Sequence, residues 1–420
     1  MSFLKGLECK GCKKKYPADR SFICLECFGP LEVTYDYAGI QAQLNPADIS
    51  DRPKNLWRYR ELLPVTGEPL TGLTSGCTPL IKANRLAEFL GVKELYLKDD
   101  SVNHPSLSYK DRVVSVALTR GAELGYTTFA CASTGNLANS VAGHCARSGH
   151  PCLLFIPHDI EPGKIKGSLV FKPKIIALKG NYDDVNRLCC EIGDQYGWGF
   201  VNVNLRPYYT EGAKTFGYEI AEQMGWRLPS QLILPTAGGT LLPKVAKAFQ
   251  ELTELGWVQG QTRIYCAQAE GCSPVVRAIH RGQSNIEPEK PNTIAKSIAI
   301  GDPADGIYAI QEVLRSGGWA ESASDEEILR AIEILAENEG IFTEPAGGAT
   351  LAVTIKLIQQ QRINTQESIV VGITGNGYKT LDVLDPYSEV DAVLRPNLQI
   401  FRKWYENQQE AEIPSLEASS

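Results

Sequence analysis

Four cysteines near the start of the sequence fall in two pairs, Cys9-x-x-Cys12 and Cys24-x-x-Cys27, with eleven residues between the pairs. Two such knuckles offer four thiolates, the full tetrahedral shell of Zn²⁺, and leave no open position for a substrate, so the implied metal is structural. Residues 1–36 carry too few aliphatic side chains to build a core, the condition under which bound zinc supplies the folding energy. Two disulfides are the competing reading, which a reducing compartment disfavours. A second candidate is Lys110, in the polar run Ser106-Leu107-Ser108-Tyr109-Lys110-Asp111-Arg112. A partly desolvated lysine amine can form a Schiff base with a carbonyl and afterwards serve as a base. Ser133, Thr134, Gly135 and Asn136 offer hydroxyls, an amide and free backbone N–H groups to a carboxylate or phosphate. Thr236, Ala237, Gly238, Gly239 and Thr240 let the backbone approach a phosphate closely. That run matches neither the Walker pattern nor Gly-x-Gly-x-x-Gly, which favours a single phosphate monoester over a nucleotide. Thr374, in Ile-Thr-Gly-Asn-Gly, adds a hydroxyl on a tight turn. Taken alone, each of these loops also fits a capped helix start or a plain turn.

These residues must be positioned by the elements around them. From about Glu94 to Ile373 short apolar runs alternate with longer amphipathic ones. Strands are predicted at Glu94–Lys98, Thr127–Ala132, Cys152–Ile156, Lys174–Leu178, Phe200–Val203, Gln231–Leu234, Arg263–Ala269 and Ser368–Ile373. Helices are predicted at Asp111–Leu124, Asn136–Arg147, Asp183–Tyr196, Gly212–Met224 and Leu241–Glu254. Ser324-Asp325-Glu326-Glu327 is a capping box opening a helix that Gly340 stops. Such alternation implies βαβ units on mostly parallel sheets, where ligands collect at the loops leaving the strands' carboxyl ends. Every loop singled out above falls at such a place.

Composition bounds the functional classes. With 420 residues and 43% hydrophobic content the chain can bury a large core, and its net charge of −7 argues against general affinity for polyanions. The basic residues Lys10, Lys13–Lys15 and Arg20 could still form a nucleic-acid face, although such a run is usually solvated. Membrane insertion is not expected, because apolar stretches break well short of about 20 residues. The eight remaining cysteines are scattered and read as reduced, which points to the cytoplasm. The stretch from Lys403 to Ser420 is polar and lacks periodicity, so a frayed tail is expected.

Taken in order, LYLKDDSVNHPSLSYKDR (95–112), CASTGNLANSVAGH (131–144), EPGK (161–164), NYDDVNRL (181–188), FVNVNLRPYYTEGAKT (200–215), GCSP (271–274), PNTIAKSIAIGDPADG (291–306) and ITGNGYKTLD (373–382) resemble the fold-type-II pyridoxal-phosphate (PLP) enzymes. Within them the sequence is similar to the threonine synthases, from the cysteine segment to about residue 385. The resemblance implies an α/β, tryptophan synthase beta-like fold of two three-layer lobes with mostly parallel sheets. It would comprise a zinc ribbon over 1–36, a catalytic domain over 37–400 with the cofactor in the cleft between its lobes, and a tail over 401–420. It implies pyridoxal 5′-phosphate held through Lys110, Asn136 at the cofactor's 3′-oxygen, Thr236, Ala237, Gly238, Gly239 and Thr240 around its phosphate, and Thr374 at the pyridine nitrogen. A hydroxyl there, unlike a carboxylate, does not hold that nitrogen protonated. The implied reaction turns O-phospho-L-homoserine and water into L-threonine and phosphate, with Ser133 and Thr134 holding the substrate carboxylate. Where the family has Asn-Pro-Tyr-Arg before Glu-Gly-x-Lys-Thr, this chain has Arg206-Pro207-Tyr208-Tyr209-Thr210-Glu211, so Tyr209 replaces an arginine and Arg206 is the substitute ligand for the substrate phosphate. The expected partners are this small molecule and, as an open assembly, a homodimer; no nucleic acid or membrane partner is expected. A cysteate synthase or hydroxyamino-acid dehydratase, and a zinc-ribbon nucleic-acid-binding protein on an inert scaffold, stay as alternatives.

Overall fold

Short strands and longer helices alternate along most of the chain, as the hydrophobic periodicity predicts. The computed structural model describes residues 2–158, 165–179, 182–387 and 390–412. The 161–164 motif, Asn181 and residues 413–420 of the expected tail lie outside the described residues.

The N-terminal part holds β1 (Leu4–Cys9), β2 (Lys15–Tyr16), β3 (Leu31–Tyr35), α1 (Tyr37–Gln43), α2 (Pro46–Ser50), β4 (Leu80–Lys82) and α3 (Asn84–Leu90). Then follow β5 (Glu94–Asp99), α4 (Lys110–Glu123), β6 (Phe129–Ala132), α5 (Asn136–Ser148), β7 (Cys152–Pro157), α6 (Lys166–Leu169), β8 (Lys174–Leu178), α7 (Tyr182–Tyr196), β9 (Gly199–Phe200), α8 (Arg206–Glu211) and α9 (Lys214–Gln223). The chain continues through β10 (Gln231–Pro235), α10 (Leu241–Glu254), β11 (Arg263–Ala269), α11 (Pro274–His280), α12 (Gly306–Arg315), β12 (Ala320–Ala323), α13 (Asp325–Glu339), α14 (Pro345–Gln359), β13 (Ser368–Ile373) and α15 (Leu398–Glu412).

Three sheets result. The first, β2-β1-β3, is antiparallel and carries the cysteine pairs. A six-stranded sheet runs β12-β11-β10-β13-β5-β4, parallel except for the antiparallel edge strand β4, and a four-stranded parallel sheet runs β8-β7-β6-β9. All five residues of β10 are buried, so both faces of that strand are covered, which is why it reads as a continuous apolar run rather than an alternation. Ser324 accepts from the Glu327 N–H, Glu327 answers at the Ser324 N–H, and Gly340 ends the helix at φ +66°, so the capping box works as its sequence implies.

Three differences from the periodicity have local causes. The predicted strand at Phe200–Val203 ends at Phe200, because Asn204 Oδ1 accepts from the Phe200 N–H at 2.7 Å and pulls the chain into a turn. Strands β4 and β12 are three and four residues long, too short for a periodic signal. The described residues from Leu381 on form a separate unit, and in it Leu398–Glu412 is helical although an irregular tail is predicted from Lys403; Phe401 stacks on Tyr405 one turn on, at 5.9 Å between ring centres.

Candidate active site

Strand register brings the chemistry-bearing loops together. In the parallel pair β10 and β13, Ile233 lies opposite Val371, so the loops leaving at Thr236 and Thr374 start side by side. In the pair β13 and β5, Ile373 lies opposite Asp99, which delivers the loop toward Lys110 to the same edge. The Tyr109 N–H donates to the Thr374 carbonyl at 2.9 Å and the Asn376 N–H to the Leu107 carbonyl at 3.1 Å, tying the two loops together.

Lys110 is the first residue of α4, one position before the predicted start, and both of its downstream neighbours are anchored. The Asp111 carboxylate accepts from the Ser106 N–H at 3.0 Å and from Ser140 Oγ at 2.6 Å. Arg112, fully buried, donates to Asp100 at 2.6 Å and to Glu219 at 2.7 Å, and Glu219 also accepts from Lys98 at 2.7 Å. Burial would raise the Glu219 carboxyl, but Arg112 and Lys98 outweigh it and hold it down at about 2. Lys110 Nζ itself lies 3.3 Å from the Tyr209 hydroxyl, and among the described residues no carboxylate forms a salt bridge with it. The other lysines sunk in this body, such as Lys98 and Lys214, each sit against a glutamate. An amine that no acid holds in an ion pair is free to turn toward a carbonyl and attack it. Tyr209, the position that departs from the family's pattern, is thus the neighbour of that amine; burial pushes its phenol well up, so the hydroxyl stays protonated.

Asn136 opens α5, and its amide is held from both ends. Lys379 donates to Asn136 Oδ1 at 2.7 Å and to the Ser106 and Leu107 carbonyls at 3.1 and 2.8 Å. Asn136 Nδ2 donates to the Glu344 carboxylate at 2.9 Å, where Ser297 Oγ also donates at 3.0 Å. Lys379, Glu344 and Ser297 were not singled out by sequence. Lys379 lies in the Thr374 motif, so its signal was present, whereas nothing in a Thr-Glu-Pro-Ala-Gly-Gly run marks Glu344 as facing Asn136. Ser133 and Thr134 precede Asn136, half-buried at the end of β6.

Thr236–Thr240 joins β10 to α10. Gly239 sits at φ +84°, and a Cβ there would lie 2.6 Å from the Asp305 carbonyl carbon, so only glycine fits; a Cβ on Gly238 would meet open space. The Thr240 hydroxyl does not cap its helix but donates to Asp305 Oδ2 at 2.7 Å, which leaves the first N–H groups of α10 uncapped by any side chain. The α5 N-terminus at Gly135 is uncapped in the same way. Two open helix N-termini, glycine clearance and an amine without an acid partner fit a phosphorylated aldehyde cofactor. Arg206, at the start of α8, donates to Asp305 Oδ1 at 2.8 Å, one turn before Tyr209 on the same helix.

In the N-terminal sheet the sulfurs of Cys9, Cys12, Cys24 and Cys27 all lie within 4.8 Å of one another, and all twelve cysteines are free thiols. Burial works to raise the Cys24 thiol, but the Tyr16 hydroxyl and the N–H groups of Cys27 and Glu26 bring it down to about 6. Four converging sulfurs are the donor set that suits zinc. Of the basic residues offered above as a nucleic-acid face, two dock the ribbon instead. Arg20 donates to the Leu124 carbonyl at 2.8 Å and stacks on Tyr126, and Lys10 lies over the Tyr308 ring.

Comparison with known proteins places this arrangement. The family model described as "Pyridoxal-phosphate dependent enzyme" matches residues 72–375. The chain is 35% identical to a threonine synthase of Methanocaldococcus jannaschii, over 94% of this chain and 98% of that protein. It is 37% identical to a threonine synthase of Methanosarcina acetivorans, over 93% and 95%. Among solved structures it resembles O-ureido-L-serine synthase, with a TM-score of 0.63 at 17% identity over 78% of this chain and 98% of that one. It also resembles maize serine racemase, with a TM-score of 0.61 at 19% identity over 80% and 93%. Identity at that level speaks for the fold alone, whereas the agreement with the archaeal relatives runs nearly end to end: the chain belongs to the pyridoxal-phosphate dependent enzymes and, among them, to the threonine synthase family.

Proposed function

We propose that this chain converts O-phospho-L-homoserine and water into L-threonine and inorganic phosphate. The observation that carries the reading is Lys110, an amine with a hydroxyl beside it and no carboxylate paired with it among the described residues, at the edge where the loops of Thr236 and Thr374 emerge. Lys110, Asn136, Thr236–Thr240 and Thr374 are assigned to pyridoxal 5′-phosphate. When bound, that cofactor supplies an electron sink conjugated with the substrate's amino nitrogen. Lys110 Nζ takes the proton from the substrate Cα and serves again as proton carrier at Cβ, with the Tyr209 hydroxyl keeping the amine in place. Ser133 and Thr134, on the turn before α5, hold the substrate carboxylate with the helix N-terminus behind them. Arg206 takes the substrate phosphate, sharing its charge with Asp305. The four cysteines are assigned to a structural Zn²⁺. No helix among the described residues is long and apolar enough to cross a membrane, and we place the enzyme in the cytoplasm.

The deciding experiment compares phosphate release from O-phospho-L-homoserine and O-phospho-L-serine with keto-acid formation from L-threonine. Preferential turnover of the first, with threonine as product, is expected. Preferential deamination of threonine would move the chain to the dehydratases.

A further inference from the structure

The sequence sets the ribbon apart from the catalytic domain, yet its contacts lead to the support of the Thr236–Thr240 loop. Asp305 stands at the N-cap of α12 but makes no side-chain cap there. Its carboxylate accepts instead from Thr240 Oγ1 at 2.7 Å and from Arg206 at 2.8 Å. Its N–H donates to the Gly238 carbonyl at 2.9 Å, and Gly239 is packed too closely on its backbone to admit a Cβ. Where Asp305 goes, the loop must follow.

Two ribbon side chains fix that unit from outside. Lys10 lies between Cys9 and Cys12, and its ammonium sits 3.5 Å from the centre of the Tyr308 ring, in the first turn of α12 after Asp305. Glu32, on β3, accepts from Lys244 and, at 2.6 Å, from Lys247; Lys244 stands in the first turn of α10, four residues after Thr240. Both ends of the loop's support, α10 and α12, are therefore gripped by the cysteine-bearing sheet. A metal on Cys9 and Cys12 closes the turn that carries Lys10. Without it that turn is held by weaker contacts, among them the Lys10 N–H to the Pro30 carbonyl at 3.0 Å and the Lys10 ammonium to Glu32 at 3.7 Å.

We propose that Lys10 and Asp305 are positioning residues of the phosphate loop, so that metal in the ribbon sets the affinity of the site for the cofactor's phosphate group. This rests on the reading of Thr236–Thr240 as the phosphate cradle.

The test titrates cofactor-free full-length protein, metal-loaded or chelator-treated, with pyridoxal 5′-phosphate and with unphosphorylated pyridoxal, reading the absorption of the lysine-bound form. Metal removal should weaken pyridoxal 5′-phosphate about tenfold and leave pyridoxal within about twofold. Lys10→Met with metal present should weaken the phosphorylated form alone, and in that variant metal removal should add less than it does in wild type, because the Lys10 link is already cut. Equal affinity for pyridoxal 5′-phosphate with and without metal would overturn the coupling, and so would equal weakening of both ligands, the mark of a site that has simply loosened. Pyridoxal binding as tightly as pyridoxal 5′-phosphate in metal-loaded wild type would overturn the cradle assignment itself.

Discussion

Lys110 is held by its neighbours rather than by contacts of its own. Asp111 and Arg112 are locked into buried networks, and the amine is left to the Tyr209 hydroxyl and the face of the Tyr109 ring, 4.8 Å away. Lys110→Ala should abolish the absorption of a lysine-bound cofactor and essentially all turnover, while thermal unfolding shifts little because the anchors remain. Undiminished turnover in that variant sinks the mechanism. The substrate phosphate is the second residue-scale question. A charge-assisted contact from Arg206 contributes about 1.5–3 kcal/mol, so Arg206→Ala should lower kcat/KM for O-phospho-L-homoserine about ten- to a hundredfold. Steady-state kinetics beside a cofactor titration read this directly; unaltered kcat/KM would confine Arg206 to its pairing with Asp305 and send the search to Asn202, Asn204 and Lys214. Lys110, Asn136 and the glycine loop could be nominated from sequence because each lies in a short run whose residue types suit the proposed chemistry. Glu344 and Asp305 were not, because an acidic residue on a surface-like stretch gives no sign of the partner it faces.

At the scale of elements, the ribbon shows a short segment borrowing stability. Its three strands contain only a handful of buried apolar residues, and of the four cysteines Cys9 and Cys24 are buried while Cys12 and Cys27 face outward. Cys24→Ser should release the metal and strip hydrogen-exchange protection from β1 to β3, while α4 and β10 keep theirs. Metal analysis of the purified variant checks it, and stoichiometric zinc retained in Cys24→Ser would disprove the ligand set. The βα loops behave differently, because their geometry comes from the sheet. The ends of β5, β10 and β13 meet only because those strands are neighbours in the order β10-β13-β5, with more than 130 residues between β10 and β13 in the chain.

Across the whole molecule, buried charge is concentrated in balanced networks that join distant segments. Asp100, Arg112, Lys98 and Glu219 link three elements, and Glu32, Glu211 and Glu251 face Lys214, Lys244 and Lys247 where the ribbon meets α8 to α10. Removing one partner leaves an uncompensated buried charge, so Glu219→Gln should destabilise the fold by about 3–5 kcal/mol in denaturant unfolding. Unchanged stability would show that Arg112 and Lys98 find other partners. The pH dependence follows from the same pairing. Glu219 and Glu32 both sit at about 2 in the fold against 4.5 for an ordinary glutamate. A depressed carboxyl contributes stability that is complete above the unfolded value and lost as pH falls through the folded one. The melting temperature of wild type should therefore drop between about pH 4.5 and pH 2, and Glu219→Gln should flatten part of that slope. A melting temperature constant across that window would contradict the buried pairing.

By itself the sequence determined the element types and the cysteine cluster and nominated Lys110 and the candidate ligand loops, because each of these is written within a few residues of chain: a 3.6- or 2-residue period, a Cys-x-x-Cys spacing, a glycine pair after an apolar run. Only the tertiary structure decided which loops share an edge, that Tyr209 rather than an acid stands beside Lys110, that Lys379 and Glu344 hold Asn136, and that Asp305 joins Arg206 to the phosphate loop. Those contacts are made across strand crossovers and between segments up to some 240 residues apart, where sheet order and register set the neighbours and local residue preferences carry no information.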